Sequence, residues 1–493
     1  MNVKHNKFTQ ALIAAAALLI PVLYGLVIRP LFLNQPALPL EIVFLCAAIV
    51  AINQLFILGF SWIEIQQAIA AKLSQAIPTL LLLFAIGLLI GSWIISGTIP
   101  MLIYYALKII SVDHIYFIAF IAPIFFSLCT GTSWGSIATI GLVLITVANV
   151  INADLAIVTG AIVGGAYFGD KMSPLSDTTN IAAMVVNVDL YQHIHSMMFT
   201  TLPSAMLAGL SFFILDFIYP AQLDLVALTN SASNDITSAP SIDILSQTLQ
   251  GISALFSFHW LLLLPPMIIL IGSIKHKPPL PVLVLSSICA CLLAFILQAF
   301  SVNDIIQTIY KGFDISMADP NKLAALPPHI GVLFNRGGLY ALNEPIIITI
   351  LVFIYVGSID CINAIPTIIN RLLSRIKRSS SLVVTSLFAS AITNSMTSSQ
   401  YANSFIVGEA FSHKYDQFNI SRKVLSRSLE DTGTMIESLI PWSTTAVFIY
   451  ATLGISVQEY WHWQLLSLIN IPLAFIFAFL GIAWFKETTV HGK

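Results

Sequence analysis

The sequence predicts an all-α polytopic membrane protein with about 11 to 13 transmembrane segments, some of them incomplete. Three observations predict it. Hydrophobic residues make up 57% of the 493-residue chain and charged residues only 9%, whereas a soluble globular chain carries roughly 25% charged residues. With a mean hydropathy of +0.90, the chain lacks the charge to coat a water-facing surface. Many apolar runs approach or reach the roughly 20 residues that span the hydrocarbon core. Between them lie polar, acidic, proline-broken segments, the composition of discontinuous membrane helices.

In chain order the apolar runs are 10–28, 39–60, 77–96, 114–129, 134–151, 197–219, 252–272, 280–300, 345–357, 381–393 and 464–485. The first follows Lys4 and Lys7, is long for a signal-peptide core, and reads as the first transmembrane helix. Positive residues stay cytoplasmic. The stretch 221–250, with Asp224, Asp235 and Asp243 and no Lys or Arg, is therefore expected outside. The stretches 272–281 (Lys275, Lys277) and 371–380 (Arg371, Arg375, Lys377, Arg378) are expected inside, with a single helix at 252–272 joining the first two. Lys4, Lys7, Lys486 and Lys493 put both termini on the cytoplasmic side of the cell membrane. The formal charge of −2 argues against nucleic acid as a partner and leaves the lipid bilayer as the main one. Cys46, Cys129, Cys289, Cys291 and Cys361 lie mostly in apolar runs without ligand spacing and read as small membrane-core residues.

Landmarks recur along the chain. Pro78 matches Pro345 at an offset of 267, Pro100 matches Pro366 at 266, the hydroxyl cluster starting at Thr130 matches that starting at Thr393 at 263, and Pro174 matches Pro441 at 267. The charge pattern starts the first unit inside near Lys72 and the second outside near Arg336, so the two units have opposite orientation. The predicted division is 1–69 (N-terminal transmembrane helices), 70–220 (first inverted repeat), 221–334 (outer loop and linking helices) and 335–493 (second inverted repeat). Inverted repeats of this kind mark transporters, with the site near the midplane where the repeats meet.

The motifs carry the chemistry. TGTSWGS at 130–136 interrupts an apolar run with hydroxyls at Thr130, Thr132, Ser133 and Ser136. Unwound backbone at membrane depth must be buried in protein or line a polar cavity. One reading is a re-entrant tip that coordinates a cation; the other is small-residue helix packing. The second cluster, Thr393, Asn394, Ser395, Thr397, Ser398, Ser399 and Gln400, favours the first. In GDKMSPLSDTTN (169–180), Asp170 and Asp177 are seven residues apart, close to two helical turns, with Pro174 between them to free a carbonyl. A carboxylate at the middle of a membrane helix costs roughly 2.5–3.5 kcal/mol on insertion scales, and such oxygen-rich sets suit hard cations. The alternative is a loop with ordinary solvated charges. Lys171 is expected to pair with either aspartate. In ESLIPWSTTA (437–446), Glu437 precedes Pro441 as Asp170 precedes Pro174. Arg427 and Asp431 read as an i,i+4 pair at a helix end. Glu344 reads as a helix start near the interface, Glu409 as a proton carrier or an interface residue, and His193 and His195, at i,i+2, as interfacial surface.

GTSWGS at 131–136, GDKMSPLSDTTN at 169–180 and SLEDTGTMIESLIPWSTT at 428–445 resemble the NhaC-type sodium/proton antiporter family of the ion-transporter superfamily, from about residue 70 to about residue 480. The resemblance implies two inverted repeats, each with a re-entrant hairpin and a broken helix, a homodimer with a scaffold and a mobile transport domain, and sodium exchanged for protons. Some relatives couple this to small organic anions such as malate and lactate. The expected function is therefore a secondary antiporter working by alternating access, with no cofactor. Sodium and the proton share Asp170, Asp177 and Glu437. Ser133, Ser173, Thr178, Asn180, Thr130, Thr132, Asn394 and Thr397 act as neutral oxygen ligands, and Lys171, Glu409, Asp431 and Glu344 as secondary candidates. The runner-up is a sodium- or proton-coupled carrier of a small organic anion or an amino acid, which Lys171 keeps open. A channel would need a continuous polar pore. The Gly-x-Gly-Asp pattern of intramembrane aspartyl proteases is absent, since Asp170 follows Phe168-Gly169, so no enzyme is expected.

Overall fold

The computed structural model describes residues 7–109, 112–221, 242–275, 277–298, 300–318, 331, 334–374 and 376–485. Lys4, Asp224, Asp235, Arg375, Lys486 and Lys493, used above for orientation, lie outside the described residues. Every regular element among the described residues is helical. Among the described residues, seven helices are long and apolar enough to cross a membrane: Lys7–Ile28, Leu40–Ile57, Trp62–Ile95, Ser133–Val150, Leu190–Ile218, Pro279–Leu297 and Asn343–Asp360. Two bent pairs raise the number to nine. The other expected crossings are interrupted or short. Ile115–Thr130 and Thr444–Leu453 are apolar but stop early, and 381–393 lies within the hydroxyl-rich helix Ser379–Thr397. The expected single helix at 252–272 is instead a pair, Gln247–Leu255 and Trp260–Gly272, bent by 99°. The Gln298 side chain takes over the broken backbone by bonding both the N–H and the carbonyl of Ser257, and the His259 ring caps the next turn.

One group of helices forms a frame. Trp62–Ile95 opens with a capping box between Ser61 and Glu64. It packs against Pro279–Leu297 and Asn343–Asp360. Small residues allow the close approach: the Gly338 N–H donates to the Gly87 carbonyl at 2.8 Å, and Trp93 donates its indole N–H to Ser286. Lys72 and Asp360 form an ion pair at 3.3 Å at one end of the frame.

The second group comprises two helix–tip–helix units and two broken helices, built alike. The first tip joins Ile115–Thr130 to Ser133–Val150 through Gly131, whose φ is 68°. The second joins Ser379–Thr397 to Gln400–Gln417 through Ser398, whose φ is 52°. Thr132 and Ser399 then cap the following helices with their hydroxyls. The first broken helix runs Leu155–Met172, breaks at Pro174, and resumes as Asp177–Val185 under a Ser176 cap. The second runs from Arg422 to Glu437, breaks at Pro441, and resumes as Thr444–Leu453 under a Ser443 cap. Gly131 and Ser398, Thr132 and Ser399, Ser176 and Ser443, and Asp170 and Glu437 are all 267 residues apart. The register at the tips is therefore corrected: Thr130 corresponds to Thr397, not to Thr393.

Each tip packs on the break of its own unit. Ser173 donates its hydroxyl to the Leu128 carbonyl, Ser398 donates to the Trp442 carbonyl, and Trp442 donates to the Ser395 carbonyl. A Cβ at Gly131 would meet the Leu175 backbone at 2.6 Å. Alanine there is expected to lose about 1–3 kcal/mol through its left-handed backbone alone, and more through the clash. The readout is thermal unfolding in detergent, in which Gly454→Ala, at the same backbone handedness but with open space around it, pays the backbone term only.

Candidate functional site

The tips and breaks enclose a cavity of about 670 Å³. Its mouth carries Lys72, Lys277, Asp177 and Tyr401. Thr130, Thr132 and Ser133 of the first tip and Thr397, Ser398 and Ser399 of the second form facing hydroxyl walls. Asp170, Glu437, Tyr167 and Thr445 stand deeper, beside an apolar side made by Trp134, Phe448, Phe353 and Val356. All four capped half-helices begin at this cavity.

Asp170 occupies the last turn of Leu155–Met172, where the proline break ends the helix. Ser133 donates both its backbone N–H (3.0 Å) and its hydroxyl (2.7 Å) to Asp170 Oδ2. Oδ1 is shielded from solvent, and besides Ser133 the Ser176 hydroxyl also acts on the carboxyl. Glu437 occupies the equivalent last turn of the second broken helix and is 4% exposed. The two carboxylates act on one another across the cavity, and the Thr445 hydroxyl faces Glu437. Asp177 sits apart from them. It opens Asp177–Val185, is exposed, and accepts a 2.5 Å hydrogen bond from the Tyr401 hydroxyl. Among the described residues no three acidic, His or Cys side chains converge as a metal cluster, so a cation here would be held by carboxylates together with hydroxyls and carbonyls.

The structure distributes the sequence candidates as follows. Asp170, Asp177, Glu437, Ser133, Thr178, Thr130, Thr132 and Thr397 line the cavity. Ser173, Asn180 and Asn394 do not; their groups hold the local fold. Ser173 bonds Leu128, Asn180 donates to the Pro174 and Ser176 carbonyls and so ties off the break, and Asn394 donates to the Gly433 carbonyl. Glu409 is exposed on Gln400–Gln417, away from the cavity. Glu344 opens Asn343–Asp360 and lines a separate pocket with Glu41 and Tyr450.

Lys171 is the largest correction. It pairs with neither Asp170 nor Asp177 but with Asp431, at 2.5 Å, with both side chains at most 1% exposed. Adjacent helical residues point about 100° apart, so Asp170 faces the cavity while Lys171 crosses to the other broken helix. Asp431 also accepts from Thr200 and Asn470 and lies 3.8 Å from Arg427. The Arg427–Asp431 pair is thus buried rather than at a helix end, because residues 429–434 widen into a π-helical turn that turns Glu430 and Asp431 inward together. His193 is corrected too: it is fully buried and bonds Ser426, since the polar face of Leu190–Ile218 packs on Arg422–Ser428. Sequence reading missed Trp134, Tyr167, Tyr401, Thr445 and Glu430. The 267-residue offset pairs Trp134 with Tyr401 and Thr178 with Thr445, and would have found most of them.

These features define a helical membrane protein with a cavity between the two tips, the two breaks and the frame helices, polar on the tip side and apolar on the other. The family described as the Na+/H+ antiporter family matches residues 165–482, a span holding the break of the first broken helix, the second tip and the whole second broken helix. The chain belongs to that family of transporters. It is 36% identical over 445 residues to an uncharacterized Na(+)/H(+) antiporter of Haemophilus influenzae, covering 90% of this chain and 91% of that protein. It is 30% identical over 487 residues to the Na(+)/H(+) antiporter NhaC of Alkalihalophilus pseudofirmus, covering 98% and 99%. To the Malate-2H(+)/Na(+)-lactate antiporter of Bacillus subtilis it is 28% identical over 459 residues, covering 92% and 93%.

Proposed function

We propose that this chain exchanges sodium for protons across the cytoplasmic membrane by alternating access, with Asp170 and Glu437 as the carboxylates shared by the two ions. The observation that carries this reading is the Asp170 carboxyl. One oxygen is held by Ser133 and the other is shielded from solvent, and the groups that act on the carboxyl, other carboxylates aside, are the neutral hydroxyls of Ser133 and Ser176. A buried charge without a counter-charge is costly, and Lys171 is committed to Asp431. Asp170 and Glu437 therefore need a proton or a metal cation before the cavity closes. Sodium displaces the proton from one set of oxygens on one side, and a proton displaces sodium on the other.

The matched tips and breaks support two inverted repeats, 70–220 and 335–493, which move a single site between two openings. Lys72 and Lys277 at the mouth support a cytoplasmic opening in this structure, with both termini on the same side. The working unit on this reading is a homodimer, read out as the mass of two chains in detergent.

A second reading is favoured by the cavity's size. At about 30 Å³ per water, a volume of about 670 Å³ exceeds what one sodium ion and its first shell fill. It matches the range of pockets for small organic ligands, so coupled carriage of a small organic anion or an amino acid is the alternative. The reconstituted protein separates the two. Sodium added alone to acid-loaded vesicles is expected to dequench a pH dye. No response without an organic solute, and a response with malate, lactate or an amino acid, would put the second reading in place of the first.

A further inference from the structure

Two hydrogen bonds cross between the units from donors at equivalent positions to acceptors one residue out of register. Trp134, the second residue of Ser133–Val150, donates its indole N–H to the Thr445 hydroxyl of the other unit's broken helix at 3.1 Å. Tyr401, the second residue of Gln400–Gln417, donates its hydroxyl to Asp177 of the opposite broken helix. Trp134 and Tyr401 are 267 residues apart, and their acceptors Asp177 and Thr445 are 268 apart, both in the first turn of a resumed helix. Each aromatic thus reaches from the tip of one unit to the first turn after the break of the other.

Their surroundings differ sharply. The Trp134 ring stacks on Phe448 at 4.2 Å and 19°, and Thr445 is 3% exposed. Tyr401 is 42% exposed and Asp177 stands at the open mouth. The difference extends along both half-helices: Asn180 is exposed, whereas Val447, its counterpart 267 residues on, is buried. One brace is more buried than the other: Thr445 is buried and Trp134 half-buried deep in the cavity, whereas Tyr401 and Asp177 are both exposed. A hydrogen bond away from water stabilises more than one that competes with it.

We propose that Trp134 and Tyr401 are paired latches that exchange roles when the protein changes the side it opens to. In this structure the Trp134 latch is closed and seals the far side. In the opposite state the Tyr401 latch becomes dry, its ring packs on Ile181, the counterpart of Phe448, and Trp134 meets solvent. This rests on the alternating-access reading above, and it names the residues that set the balance between the two openings. Trp134→Phe keeps the ring stack and removes the donor, so it weakens the present state. Tyr401→Phe weakens the opposite one.

The test uses single reporter cysteines on a background without Cys46, Cys129, Cys289, Cys291 and Cys361. Thr178→Cys reports the present mouth, and Val447→Cys reports the far side, where it lines a pocket with Glu344 and Tyr450. A membrane-impermeant maleimide is applied to oriented vesicles. Trp134→Phe is expected to slow labelling at Thr178→Cys and speed it at Val447→Cys, shifting the ratio about threefold or more, and Tyr401→Phe to shift it the other way. Thr445→Val, which removes the same latch from the acceptor side, is expected to follow Trp134→Phe and serves if that variant folds poorly. Shifts in the same direction for the two aromatics, or no shift for either, overturn the latches. Labelling does not depend on the transported ion. Opposite shifts without sodium-driven proton flux keep the latches and remove the ion assignment. Flux that persists with shifts in one direction removes the latches alone.

Discussion

Asp170→Asn abolishes sodium-driven proton flux and leaves the fold intact. Asparagine is nearly isosteric, and its side-chain carbonyl still accepts the two donors of Ser133 that hold Asp170 Oδ2. It can neither bind nor release a proton, and it offers sodium no charge. Exchange in reconstituted vesicles is expected to fall at least 100-fold, about 2.8 kcal/mol at 1.4 kcal/mol per decade, with thermal unfolding in detergent unchanged. Glu437→Gln is expected to behave alike. Asp177→Asn is not: its carboxylate is at the mouth, exposed and held by Tyr401, so a change of about threefold in the sodium concentration for half-maximal rate is expected, as befits a screened surface charge. Full exchange in both Asp170→Asn and Glu437→Gln would remove the proposed ion pair of carboxylates.

Lys171→Met produces the second large effect, on stability rather than chemistry. It leaves Asp431 buried beside an Arg427 that is 3.8 Å away. Removing one partner of a buried ion pair costs up to about 3–5 kcal/mol, and the remaining Arg427 offsets only part of it. Lower yield and a large drop in the unfolding temperature in detergent are expected. Adding Asp431→Asn should restore part of the loss: the amide oxygen still accepts from Thr200 and Asn470 and no unpaired carboxylate remains, although Arg427 loses its carboxylate partner. A double variant as unstable as Lys171→Met alone would show that the cost comes from packing and not from the charge.

Fold class and the two broken segments were legible in the sequence because they follow from local chemistry. Too little charge to face water, proline after an acidic helix end, and glycine or serine where a tip must turn are all visible in one dimension. The two hydroxyl-rich tips were legible as well, but the register between them was not. Hydroxyls are so dense from Thr393 to Ser399 that composition alone cannot say which one takes the left-handed backbone; Ser398 does. Lys171 was unreadable for another reason. Its partner lies 260 residues away, and only the packing of the two broken helices, with the π-helical turn at 429–434, brings Asp431 to it. The deep and shallow carboxylates could not be separated either. Asp170 and Asp177 look equivalent in sequence, and the break between them sends one into the cavity and the other to its mouth.

Proton release on sodium binding tests the central claim most directly. If Asp170 and Glu437 hold either a proton or sodium, binding and protonation are linked. Calorimetric titration of the purified protein with sodium, in buffers of different ionisation enthalpy, is expected to show close to one proton released per sodium bound. The sodium Kd should weaken up to about tenfold for each unit by which pH is lowered through the titration range, and Asp170→Asn should lose both effects. A sodium Kd that stays constant across that range, with no proton released, would contradict a site shared by the two ions.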